Sequence, residues 1–232
     1  MSTVQRKTLG IIPARAGSKG IPGKNICPVA NRPLIAYTID AAKESKLLTD
    51  FIVSTDDDKI AEVARNEGAE VLMRPPELAA DDTPMVPVIK HALLQKPYDF
   101  VVVLQPTTPL RQGSDIDTAL QILFSTGADS VVSVYQVDDH HPARMYRLVD
   151  EQLVPYDKEP AARLRQFLPP VYHRNGAVYA CRAALVWEQD TLLGPDLRPY
   201  IMPRERSVNI DDRLDLALAD FLLTRQQEAV ST

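Results

Sequence analysis

Twelve residues near the amino terminus carry the groups needed to bind a polyanion. Residues 14–25 read Ala-Arg-Ala-Gly-Ser-Lys-Gly-Ile-Pro-Gly-Lys-Asn, which interleaves Arg15, Lys19 and Lys24 with Gly17, Gly20 and Gly23. Glycines let a backbone come close to a ligand and turn its N–H groups inward. The cations neutralise charge that would otherwise repel a nucleophile approaching phosphorus. A bound triphosphate calls for both. The spacing is neither G-x-x-x-x-G-K-[ST] nor G-x-G-x-x-G, so a Walker A loop and a dinucleotide-binding loop are both disfavoured. His140 and His141 stand side by side with no spaced partner, which is a poor metal-ligand pattern and favours a structural role.

The loop needs a scaffold, and the flanking sequence supplies one. A short apolar run at 8–13 predicts a strand that stops at Pro13. Helical periodicity follows at 33–44, a strand at 50–54, a helix at 57–66 closed by Gly68, and a strand at 70–73. A helix at 83–95, an unbroken apolar strand at 100–104, a helix at 114–125 capped by Ser114, and a strand at 130–135 continue the alternation. This rhythm predicts an α/β fold with a mainly parallel sheet flanked by helices. In such sheets ligands sit beyond the carboxyl ends of the strands, where residues 14–25 and Gln105 both fall.

The rhythm breaks near Gln136. Residues 137–170 are polar and Pro-rich, with His140, His141, Arg144, Arg147, Arg163 and Arg165. They read as an excursion, either an active-site flap or an arm that meets another subunit. Strand character resumes at 176–181, and a last helix at 212–226 is expected to pack back on the sheet. The organisation predicted is one α/β domain from 1–136 and 171–232, interrupted by an inserted arm at 137–170.

Bulk properties narrow the partners. A chain of 232 residues with a net charge of -5 has no bulk attraction for nucleic acid or an anionic membrane surface. No apolar run approaches the ~20 residues that span a bilayer. Two cysteines, Cys27 and Cys181, read as unpaired thiols of a reducing compartment, so a cytoplasmic setting is expected.

Several motifs together carry a family resemblance. Residues 13–25 resemble the signature loop of the CMP-sialic acid synthetases, the acylneuraminate cytidylyltransferases. Ile52-Val53-Ser54-Thr55-Asp56, Arg74-Pro75-Pro76-Glu77-Leu78-Ala79, residues 104–111, Asn175-Gly176-Ala177 and residues 207–211 match in the same order. The resemblance covers roughly 9–222 and implies a Rossmann-like nucleotidyltransferase fold with a small dimerisation arm. It implies transfer of CMP from CTP to the anomeric hydroxyl of a nonulosonic (sialic-acid-like) sugar acid, with release of pyrophosphate. By the same resemblance Arg15, Lys19 and Lys24 hold the triphosphate, Lys19 stabilises the transition state, and Ser18 and Asn25 add hydrogen bonds. Arg74 and the segment through Asp82 serve cytosine and ribose. Gln105 and Thr107 serve the sugar acid, joined by Arg165 and by His173 or Arg174 from the arm of a neighbouring subunit in a homodimer.

Two departures qualify the match. Family members commonly carry Arg-Pro-Asn-Gly where this chain has His173-Arg174-Asn175-Gly176. The Asp-x-Asp pair that the family uses for Mg²⁺ and nucleophile activation becomes Asn209-Ile210-Asp211. Asn can coordinate a hard cation through its carbonyl oxygen but brings no charge and cannot act as a base, so Asp211 is the residue expected first to hold Mg²⁺, with Asn209 as a second candidate ligand. The Pro-rich excursion and the His173-Arg174 departure favour a bacterial diamino acid such as legionaminic acid. Two rivals stand: a cytidylyltransferase for the eight-carbon acid KDO, and a catalytically silent nucleotide-binding protein.

Overall fold

A computed structural model describes residues 6–17, 20–80, 82–156 and 165–230. The first strand, β1 (Thr8–Pro13), leads into the 14–25 loop and then into a small hairpin, β2 (Pro28–Val29) and β3 (Arg32–Pro33). Helix α1 (Leu34–Glu44), β4 (Asp50–Thr55), α2 (Asp58–Asn66), β5 (Glu70–Met73), α3 (Met85–Leu93), β6 (Phe100–Val103), α4 (Gly113–Thr126) and β7 (Ser130–Gln136) follow. A separate two-stranded ribbon, β8 (Tyr146–Val149) and β9 (Gln152–Pro155), comes next. The chain ends with β10 (Tyr172–Arg182), α5 (Ala183–Gln189), β11 (Leu197–Ile201) and α6 (Arg213–Val230).

The main sheet has seven strands in the order β11-β7-β10-β6-β1-β4-β5. All neighbours run parallel except β10, which is antiparallel to both β6 and β7. Alternation explains the unbroken apolar runs, because successive side chains face opposite helix layers. Ile12, Val53, Val102 and Leu104 pack with Ile35, Ile39, Ile60, Ile116 and Leu120 of α1, α2 and α4. Leu9, Ile11, Val101 and Val103 pack with Ile89 and Leu93 of α3 and Leu185 and Val186 of α5 on the other face. Each such fully buried aliphatic side chain contributes about 1.5–3 kcal/mol relative to exposure.

Three expectations change. Helix α4 is capped at Gln112 rather than Ser114, because the Asp115 carboxylate accepts from the Gln112 N–H and completes a reciprocal capping box. The strand expected at 176–181 starts four residues earlier, since Tyr172, His173 and Arg174 already pair with β7. Helix α6 does not pack on the sheet. Its Ala219 and Leu223 join Ile21, Val29, Ala30, Leu34, Leu110 and Ile210 in a third apolar cluster beside the β2–β3 hairpin. Among the described residues no helix is long and apolar enough to cross a membrane.

Candidate active site

Strands β1 and β6 lie side by side, and their carboxyl ends open into one cleft of about 510 Å³. Chain connections diverge there: β1 leads through α1 to β4 on one side, and β6 leads through α4 to β7 on the other. Such a switch point leaves a crevice that no crossover helix fills. Its walls bring together Arg15, Gly17, Gly20, Lys24 and Asn25 with Arg74, Gln105, Thr107, Asn209 and Asp211. Residues as far apart as 15 and 211 therefore share one site.

The loop after β1 is held from several directions. The Ala14 N–H donates to the Ser54 carbonyl at 2.9 Å, which extends the strand register into the loop. Asp56 accepts from the Ala16 N–H at 3.2 Å, so this carboxylate supports the loop. Buried Asn25 donates its amide to the Arg15 carbonyl at 3.0 Å, so its side chain shapes the loop. A Cβ on Gly20 would sit 2.6 Å from the Asp211 carbonyl, so only glycine permits this approach of the loop to the 207–211 segment. The Lys24 ammonium donates to the Ile210 carbonyl at 2.8 Å and joins the same two segments, with two N–H donors to spare. Ser18 and Lys19 lie outside the described residues.

Two arginines hold the 74–83 segment over the cleft. Arg15 donates to the Ala80 carbonyl at 3.0 Å, and Arg74 to the Leu78 carbonyl at 3.3 Å. Arg74 is buried, with its Nε lacking a hydrogen-bond partner and the Asp56 carboxylate 3.9 Å away. Burial lowers its pKa, nearby Asp56 raises it, and Arg15 lowers it further. Asp82 is exposed and does not line the cleft, whereas its neighbours Ala80 and Thr83 do.

Gln105 and Thr107 form the opposite wall. Behind them Arg111 is fully enclosed and donates to the Gln105 carbonyl, the Thr108 hydroxyl, the Ala177 carbonyl and the Thr38 hydroxyl. No carboxylate among the described residues pairs with it within 4.0 Å, so it is a hydrogen-bonded clamp rather than an ion-pair partner. Gly176 has a φ of +79°, and a Cβ there would lie 2.6 Å from Gln105 Oε1. The adjacent Asn175 is buried and donates to the Ser207 hydroxyl at 2.9 Å, while its Oδ1 accepts from Ser133 at 2.6 Å. It thereby ties β10 to the segment that carries Asn209 and Asp211. At that segment Thr107 donates to Asn209 Oδ1 at 2.7 Å, and Asn209 Nδ2 donates to the Asp211 carboxylate at 2.7 Å.

Other predicted residues lie elsewhere. His173 and Arg174 are exposed on β10 opposite Tyr135 and Val134, and neither lines the cleft of its own chain. Arg165 opens a short 3-10 turn in the excursion, and its side chain falls outside the description. His141 is buried, accepts from the Ala143 N–H through Nδ1 and donates through Nε2 to the Pro169 carbonyl, a structural role. Sequence reading missed Met85 and Val88, which supply an apolar patch of the cleft from the first turn of α3. It also missed Asp115, although its place three residues after Gln112 was a capping signal.

Fold and site define an α/β domain whose main cleft is built around a cationic, glycine-rich loop. A family model described as cytidylyltransferase matches residues 9–191, and the chain belongs to that family. It is 35% identical over 228 residues to an N-acylneuraminate cytidylyltransferase of Escherichia coli, covering 97% of this chain and 53% of that protein. It is 34% identical to a CMP-N,N'-diacetyllegionaminic acid synthase of Legionella pneumophila, covering 97% of this chain and 99% of that one. The chain spans about half the length of several curated relatives it matches, the Escherichia coli protein among them. A solved CMP:2-keto-3-deoxy-manno-octonic acid synthetase complexed with CTP shares the fold, with a TM-score of 0.74 at 17% identity over 95% of this chain and 99% of its own.

Proposed function

We propose that the protein transfers CMP from CTP to the anomeric hydroxyl of a nonulosonic acid and releases pyrophosphate. One observation carries the reading: the cleft joins the cationic loop after β1 to Gln105 and Thr107 after β6, with Asp211 in the same lining. The sugar oxygen attacks the α-phosphorus, the bond to the departing pyrophosphate breaks, and the hydroxyl proton leaves. Positioning and charge neutralisation do most of the work. Arg15 and Lys24 face the triphosphate, together with Lys19 as the principal stabiliser of the transition state and Ser18 as a hydrogen-bond donor. Asn25 shapes that loop. Arg74 holds the 74–83 segment, whose backbone groups read the cytosine edge, with Asp82 at its rim.

The residues present fit a magnesium ion shared with the nucleotide. Asp211 supplies one exposed carboxylate on the cleft wall, a donor type suited to a hard cation that takes its other ligands from phosphates and water. When bound, the ion supplies charge stabilisation on the phosphate oxygens.

A second copy of the chain is the proposed partner. Every residue of β8 and β9 is exposed, including Leu148 at 74% and Leu153 at 68%. A two-stranded ribbon with bare aliphatic side chains is marginal in water and gains stability by docking. The arm at 137–170 would then carry Arg165, with His173 and Arg174 at its base, toward the neighbouring cleft. Free thiols at Cys27 and Cys181 support a reducing, cytoplasmic setting.

Pyrophosphate release with CTP and a panel of acids tests the reading. Legionaminate-type diamino acids are expected to give the highest kcat/KM, ahead of N-acetylneuraminate and pseudaminate. A preference for KDO would transfer the protein to that rival activity. CTP binding without release on any acid would make it a silent binder. Lys19→Ala is expected to lower turnover by about 10²-fold or more with the fold intact; near-normal turnover would remove Lys19 from the mechanism.

A further inference from the structure

Three side chains at the mouth of the cleft form a one-way hydrogen-bond chain, from Thr107 to Asn209 to Asp211. Its direction is fixed by chemistry. A carboxylate only accepts, so the Asn209 amide nitrogen must face Asp211 and its oxygen must face the Thr107 hydroxyl. One lone pair of the neutral Asn209 oxygen is thereby used, and one Asp211 oxygen is held by a neutral donor.

The surrounding carboxylates are committed to backbone. Asp212 accepts from the Leu214 and Asp215 N–H groups, and Asp215 accepts from those of Asp211 and Asp212. Asp56 accepts from the Ala16 N–H and lies 3.9 Å from the Arg74 guanidinium. Among the described residues no three His, Cys, Asp or Glu side chains are grouped to hold a metal ion. Among the described residues lining the cleft Asp211 is the single carboxylate, and one carboxylate in water holds a hard divalent ion weakly.

We infer that Asn209 is a positioning residue that makes divalent-ion uptake depend on the nucleotide: it orients Asp211 but leaves the protein one charge short of a site of its own. This rests on the nucleotide-binding reading above. Phosphate oxygens of the bound nucleotide supply the missing charge, so ion and nucleotide enter as a unit. An aspartate at 209 would set two carboxylates in contact, and their repulsion would be relieved by capturing a cation without any nucleotide.

Electron paramagnetic resonance of Mn²⁺ tests this on the whole chain. The parent alone is expected to leave the free Mn²⁺ signal unchanged. Parent plus CTP should remove more signal than CTP alone. Asn209→Asp should bind Mn²⁺ without CTP at least about tenfold more tightly than the parent. Calorimetry with CTP in EDTA, run in parallel, reports nucleotide binding by itself. Mn²⁺ binding to the parent without CTP, as tight as to Asn209→Asp, would overturn this inference and leave the nucleotide reading standing. Absence of CTP binding both in EDTA and in excess Mg²⁺ would overturn both. If Asn209→Asp did not fold, the parent with and without CTP would still decide.

Discussion

Arg111 is a guanidinium removed from water, and it shows how much polar structure supports one wall of the cleft. Burial pulls its pKa down to about 9, with Asp115 acting in the opposite direction, so it still carries charge at neutral pH. Its four acceptors come from the 105–108 turn, β10 and α1, which fixes Gln105 relative to Gly176. The close approach of Gly176 to Gln105 makes a specific prediction. Gly176→Ala must strain a backbone at φ +79° and also displace the Gln105 amide. We expect kcat/KM for the sugar acid to fall by about 10–100-fold while CTP affinity stays the same. Steady-state kinetics with each substrate varied, beside CTP calorimetry, check this. Equal losses for both substrates would detach Gln105 from the acid.

At the scale of elements, α4 is anchored to β11 and to the turn before 207–211 through one buried carboxylate. Asp115 accepts from both terminal nitrogens of Arg206, from the Tyr200 hydroxyl at 2.6 Å, and from the Gln112 N–H. Arg206→Met leaves that charge without its cation. We expect a loss of about 2–3 kcal/mol by chemical denaturation, since Arg206 is itself mostly buried. Tyr200 is pushed up to about 12 by burial, then by the hydrogen bond and charge of Asp115. Its folded pKa thus exceeds the unfolded one, so the contribution is complete below about pH 10 and is lost as pH rises toward 12. Denaturation at about pH 9 and about pH 11 should show the parent losing more stability than Tyr200→Phe. An equal loss in both would remove Tyr200 from the alkaline limb.

These elements also show what was legible in sequence. The strands β1, β6 and β7 stand out because burial on two faces demands unbroken apolar runs, and the less buried β4 and edge strand β5 because they continue the strand–helix alternation. The start of β10 does not, because Tyr172, His173 and Arg174 are exposed polar or aromatic residues with no apolar run. Helix α6 was misplaced because its apolar residues lie on more than one side. Leu214, Leu218 and Phe221 stay exposed while Ala219 and Leu223 are buried.

At the scale of the whole molecule, the site is assembled from segments that periodicity cannot bring together. The 14–25 loop announced itself by composition, and Gln105 by its place after a buried strand. The links from Lys24 to Ile210 and from Thr107 to Asn209 span more than a hundred residues each and leave no local signal. The exposed ribbon belongs to this scale too. Leu148→Asp with Leu153→Asp should convert a dimer to a monomer in light scattering and lower turnover per chain. An unchanged mass with full turnover would remove the arm from both assembly and catalysis.

In the proposed reaction the acid's own anomeric oxygen becomes bonded to the α-phosphorus of CTP. Phosphorus-31 NMR of CTP, Mg²⁺ and a nonulosonic acid labelled with oxygen-18 at that hydroxyl tests it directly. A new phosphodiester resonance carrying the isotope shift is expected, beside unlabelled pyrophosphate. A label-free phosphodiester, or CTP consumed with no phosphodiester formed, would contradict it.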